Sequence, residues 1–125
     1  MRAVIYDAGA LIAAGSNDRQ FWADHRVRLE RGVIPIVPAP VVAQVSRSPR
    51  QAQLRRLLRG CEVPGFTEAA AHRVGAVLAR GSSSDIADGA VVEAAPEDGE
   101  IVTSDRPDIA RLLDAVGSGA TIVDI

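Results

Sequence analysis

Val4–Ala14 reads VIYDAGALIAA. The β-rich run Arg2 to Tyr6 stops at Asp7, and Ala8 to Ala14 supplies one or two helical turns before Gly15-Ser16-Asn17-Asp18 breaks them. A strand therefore feeds a helix through a single carboxylate. The same alternation continues downstream. Phe21, Trp22, His25 and Leu29 fall at helical spacing, which predicts a helix over Asp18 to Arg31 stopped by Gly32. Val33 to Val37 reads as a second strand, and Pro38 and Pro40 open a helix with Val41, Val42 and Val45 on one side and Gln44 and Arg47 on another. Ser48-Pro49 ends it, and Gln51 to Arg59 is helical up to Gly60. Cys61 to Val63 is a third strand candidate, followed by a helix from Thr67 that closes at Gly81. The cap-rich Ser82-Ser83-Ser84 precedes a helix over Asp85 to Ala95. Glu100 to Thr103 is a fourth strand, Pro107 to Val116 a last helix and Thr121 to Ile125 a fifth strand. Such alternation predicts an α/β fold with a parallel sheet covered on both faces.

The totals set limits. With 125 residues, 47% of them hydrophobic, the chain is expected to form one domain over 1–125 with a real core. Its four aromatic residues, Tyr6, Phe21, Trp22 and Phe66, are too few for a base-stacking platform, which argues against an RRM or OB module. The single cysteine, Cys61, excludes an internal disulfide and a cysteine-based zinc site. No segment has the roughly 18 apolar residues of a membrane span, and Met1 leads straight into a strand, so a cytoplasmic protein without membrane partners is expected. All 14 cationic residues are Arg, and the stretch from Arg31 to Cys61 holds six of them without one Asp or Glu. That composition fits either a solvated helix face or a phosphate-binding surface.

In an open α/β sheet functional groups collect just past the carboxyl ends of strands. Asp7 follows the first strand, and Asp105 follows Ile101 to Thr103 after one serine. Asp85 and Asp88 are three residues apart and share one helix face. Carboxylates gathered in one cleft repel, and a hard divalent cation such as Mg2+ or Mn2+ is the simplest way to keep them ionised. Such an ion activates water and neutralises a phosphate under attack, which points to phosphodiester hydrolysis. Capping offers a plainer role for Asp7, Asp85, Asp105 and Asp108, and is the preferred reading of Asp108. Asp88, a turn inside its helix, is explained least by capping.

Three motifs, VIYDAGALIAA, SSSDIADGAVVEAA (82–95) and IVTSDRPDIARLL (101–113), resemble PIN domains, specifically the VapC-type toxin ribonucleases, over nearly the whole chain. The resemblance implies a three-layer α/β/α sandwich with a five-stranded parallel sheet in the order 3-2-1-4-5. It also implies magnesium-dependent endoribonuclease activity on RNA, homodimerisation and a cognate antitoxin partner. The family's acids fall on Asp7, Asp88 and Asp105, and Asp108 matches a further acid found in many members. PVVAQVSR (40–47) departs from the pattern, because Gln44 stands where a glutamate is usual. An amide oxygen can ligate a metal but brings no charge and cannot act as a base. Asp85 could partly replace that charge. Arg47, Arg50, Arg55, Arg56 and Arg59 are candidates for holding the RNA backbone, or for a dimer or antitoxin surface.

Other chemistries lack their residues. The chain has no lysine, which removes a receiver-type phosphoacceptor site and a P-loop, and neither G-x-G-x-x-G nor G-x-S-x-G occurs where it would be needed. His25 and His72 stand alone and read as packed or surface residues rather than ligands. A PIN-fold module that binds RNA or a partner without catalysis stays open because of Gln44.

Overall fold

The computed structural model describes residues 2–125. Its elements run β1 (Val4–Tyr6), α1 (Ala8–Gly15), α2 (Arg19–Glu30), α3 (Ala39–Val45), α4 (Ala52–Arg59), α5 (Glu68–Arg80), α6 (Ile86–Ala94), β2 (Glu100–Thr103), α7 (Arg106–Val116) and β3 (Thr121–Asp124). The sheet is parallel, in the order β1-β2-β3, with Ile5 opposite Ile101 and Ile101 opposite Ile122.

Several helices begin where a polar side chain satisfies a first-turn amide. Asp18 accepts from Phe21 N–H, Thr67 from Ala70 N–H and Asp85 from Asp88 N–H. Gly117, at φ 68°, ends α7 in the left-handed conformation that glycine adopts without strain. Ile5, Leu11, Ile101, Ile109 and Leu112 are fully buried and lie in one apolar cluster. The core expected from composition is thus present, and it fixes the strand ends relative to α1 and α7.

The expected five-stranded sheet is not formed. Val33–Val37 and Cys61–Val63 contribute only isolated parallel bridges, Ile36 with Ile5 and Ile36 with Glu62. The backbone explains why. Ile36 exchanges bonds with β1 on one side (Tyr6 N–H to Ile36 O, 2.9 Å; Ile36 N–H to Val4 O, 2.8 Å). On the other side, Val37 N–H donates to Glu62 O at 2.8 Å and Glu62 N–H to Pro35 O at 2.9 Å. Pro35 and Pro38 have no N–H and Pro64 follows directly on Val63, so neither ladder extends to a strand. What remains among the described residues is an α/β fold with a three-stranded sheet and seven helices.

Candidate metal centre

β1 and β2 lie side by side, so the residues that follow them emerge together. Asp7 is pinned on both sides of its Cα. Its N–H donates to Val102 O at 3.0 Å, extending the ladder one residue past β1, and its side chain caps α1 by accepting from Ala8 N–H at 2.8 Å. The second carboxylate oxygen accepts from Thr103 Oγ1 at 2.7 Å. Thr103 Oγ1 in turn accepts from Asp105 N–H at 2.9 Å. One buried hydroxyl thus ties the two strand-end acids together, a contact that links residues 7 and 103 and has no local signature in the sequence. Sequence reasoning passed over Thr103. The signal it offered was a polar residue at the carboxyl end of β2, directly after Ile101 and Val102.

Asp88 reaches the same region from the first turn of α6 and is only 6% exposed. Oxygens of Asp88, Asp105 and Asp108 all lie within 4.8 Å of one another. Burial, then the charges of Asp85, Asp7, Asp105 and Asp108, push the Asp88 carboxyl up to about 7. Asp105 is raised as well, by its burial and then by Asp108. Among the described residues neither Asp88 nor Asp105 has an ion-pair partner, and Asp108 meets only Arg111, at 3.7 Å.

Asp7, Asp88, Asp105 and Asp108 therefore form one electrostatically coupled group. Asp85 is an exposed cap of α6, influencing Asp88 by its charge. The Asp105 carboxyl lies against Asp108. Besides burial, the charge and side chain of Asp108 raise its pKa, and the Asp108 backbone N–H lowers it. Gln44 stands on α3, which packs against α6. This residue is exposed and lines a groove between α1, α3 and α4 with Leu11, Ile12, Arg47 and Arg50, whose walls hold no carboxylate.

The Arg-rich segment divides. Arg47 donates to the carbonyls of Ala43 and Ser46, and Arg55 to those of Pro49 and Ser48, so both brace the α3–α4 loop. Arg50 faces the Gln44 groove, Arg56 turns to the opposite side of α4 and stacks on Trp22, and Arg59 is exposed. His72 is on the surface beside Glu68, and His25 is buried against Tyr6.

Two expected results follow from this geometry. Thr103→Val keeps the side-chain volume but removes both hydroxyl bonds. It should cost roughly 1–3 kcal/mol in denaturant unfolding, because the Asp105 amide and the Asp7 carboxylate lose a buried partner. It should also lower metal affinity by about 10- to 100-fold, as loss of a group that orients a metal ligand does. The second concerns pH. An unfolded Asp titrates near about 3.9, so between that value and about 7 the folded protein holds a proton that the unfolded chain has released. Stability of the metal-free protein must therefore fall as pH rises through this window. Thermal melts in EDTA should show a lower Tm at about pH 8 than at about pH 5, by on the order of 5 °C, with a smaller drop in Asp88→Asn.

No protein-family model and no curated protein matches this chain. Among solved structures it is similar to a chain of the crystal structure of VapBC2 from Rickettsia felis bound to a DNA fragment from their promoter. That similarity has a TM-score of 0.67 at 12% sequence identity and covers 98% of each chain. The fold thus resembles that of a VapBC toxin–antitoxin component. Among the described residues, no helix is long and apolar enough to cross a membrane.

Proposed function

We propose that this chain is a magnesium- or manganese-dependent endoribonuclease and the toxin half of a toxin–antitoxin pair. The observation that carries the reading is the buried Asp88 carboxylate within 4.8 Å of Asp105 and Asp108 oxygens, without an ion-pair partner of its own. Burying uncompensated negative charge is costly, and a cation offsets that cost. The donor set suits a hard ion, since it offers only carboxylate oxygens and neither imidazole nor thiolate.

Asp88, Asp105 and Asp108 are the residues that would hold the metal. Asp7, fixed by Ala8 N–H and the Thr103 hydroxyl, adds negative charge at their side. When bound, the metal would supply charge neutralisation at the phosphate and a water of lowered pKa. Thr103 keeps Asp7 and the Asp105 backbone in a fixed relation, so the acids need not reorganise when substrate arrives. The fold shared with a VapBC2 component supports a cognate antitoxin as partner, and homodimerisation belongs to the same reading.

One observation favours a second reading, a binding module on the same fold. Gln44 is neutral and lines a groove without carboxylates. Cleavage of a pool of structured RNAs separates the two. The wild type should cut RNA with Mg2+ or Mn2+ and stop in EDTA. An inactive wild type beside an active Gln44→Glu variant would make the native protein a binding module.

A further inference from the structure

A second polar site lies away from the acids, in a cleft between α2 and α4. Arg19, Arg26 and Arg56 line it together with Trp22, His25 and Gly60, and no carboxylate does. Among the described residues these three guanidiniums form no salt bridge. Arg56 is held in place by stacking on the Trp22 ring, 4.5 Å from its centroid, and by donating from Nη1 to Gln53 Oε1 at 3.4 Å, which leaves its other in-plane N–H groups to donate.

His25 supplies the second line of argument. It is 4% exposed, and its Nδ1 lies 2.7 Å from Tyr6 Oη. Arg28 also reaches that oxygen, at 3.1 Å, and a guanidinium can only donate. Tyr6 is fully buried and its hydroxyl meets no other acceptor among the described residues, so its hydrogen goes to Nδ1 and the proton of the neutral imidazole sits on Nε2. Burial, then Arg28 and Arg56, hold the ring's pKa below its ordinary value, so it is neutral at pH 7 with that single N–H. Nε2 has no hydrogen-bond partner among the described residues. It points toward Gly60 in the cleft wall, 3.7 Å from where a Cβ on that glycine would sit.

We propose that this cleft binds a phosphate group, with His25 Nε2–H and the guanidiniums of Arg19, Arg26 and Arg56 as donors to its oxygens. The cleft gathers three cationic side chains and an imidazole N–H with no carboxylate to offset them, an arrangement that an oxyanion complements, and guanidinium geometry matches phosphate. The site is independent of the carboxylate cluster, so the two assignments stand or fall separately.

The test uses the full chain and inorganic phosphate at constant ionic strength. Trp22, the single tryptophan, reports on the cleft by fluorescence, and calorimetry gives the affinity. Saturable binding is expected, weakened by about fivefold or more in Arg26→Gln, which loses a charge-assisted donor. Gly60→Ala should weaken it too, since its methyl crowds Nε2. That variant folds without strain, because the neighbours of the added Cβ stand at 3.5 Å or more and the Gly60 φ is −94°. Arg80→Gln, on α5, should leave the affinity unchanged. Two further ligands identify the phosphate's source. A 2′-O-methyl oligoribonucleotide that competes with phosphate and binds more tightly makes the source an RNA strand, whereas competition by mononucleotides alone makes it a free phosphate compound. Absence of saturable binding, or binding that Arg26→Gln and Gly60→Ala leave unchanged, overturns the assignment.

Discussion

Asp88→Asn is expected to lower metal-dependent RNA cleavage by about 100-fold or more while making the metal-free protein more stable at neutral pH. The two effects have one cause. Asp88 is buried beside Asp105 and Asp108 and within the field of Asp7 and Asp85, so its charge is poorly compensated. Removing that charge relieves repulsion in the empty site, but it also removes a ligand from the occupied one. Outer groups that merely orient a ligand are worth roughly 10- to 100-fold, and a ligand itself is worth at least as much. A residue kept only for packing would behave differently, because its replacement by an isosteric amide would change neither cleavage nor the pH dependence of the melt. Cleavage kinetics and melts in EDTA on the same preparations separate the two roles.

Gly9→Ala should have the largest effect of any single-methyl change near the site. A Cβ on Gly9 would lie 2.8 Å from Ser104 Cβ and 2.9 Å from Ser104 N. The second atom is backbone, so no side-chain rotation relieves the clash, and α1 must move away from the β2–α7 loop. Overpacking of this kind costs roughly 1–3 kcal/mol, which at this chain length lowers Tm by about 5 °C or more. The displacement also separates Asp7, at the start of α1, from Asp105, in the loop being pushed. A misplacement of about 1 Å in a catalytic constellation can cost on the order of 100-fold. Cleavage should therefore fall by more than the fraction of folded protein does, measured under conditions where the variant remains folded by circular dichroism.

The helices were legible because their signals are local. Asp18, Thr67 and Asp85 cap where the sequence places them, and the bounds of α2, α5 and α6 follow from caps and apolar spacing. The second and third strands were misread for a reason equally physical. An apolar run such as Val33–Val37 displays strand-like side chains, but a strand is made by its amides, and Pro35 removes one from the middle of the run. The acids at strand ends could be found from sequence because a parallel sheet brings those ends together. Their relation to one another could not. The Thr103 bridge and the fit of Gly9 against Ser104 join segments nearly a hundred residues apart, and no pattern within either segment encodes them. The Arg-rich segment shows the same limit, since neighbours in sequence such as Arg55 and Arg56 leave α4 in different directions, one to the loop and one to Trp22.

Calorimetric titration of Mn2+ into the metal-free wild type, beside Asp88→Asn and Asp105→Asn, tests the acidic centre without reference to any RNA. Saturable binding by the wild type that is lost or weakened at least about tenfold in both variants is the predicted result. A wild type that binds no Mn2+, or one whose binding both variants leave intact, would contradict the assignment of Asp88, Asp105 and Asp108 as a metal centre.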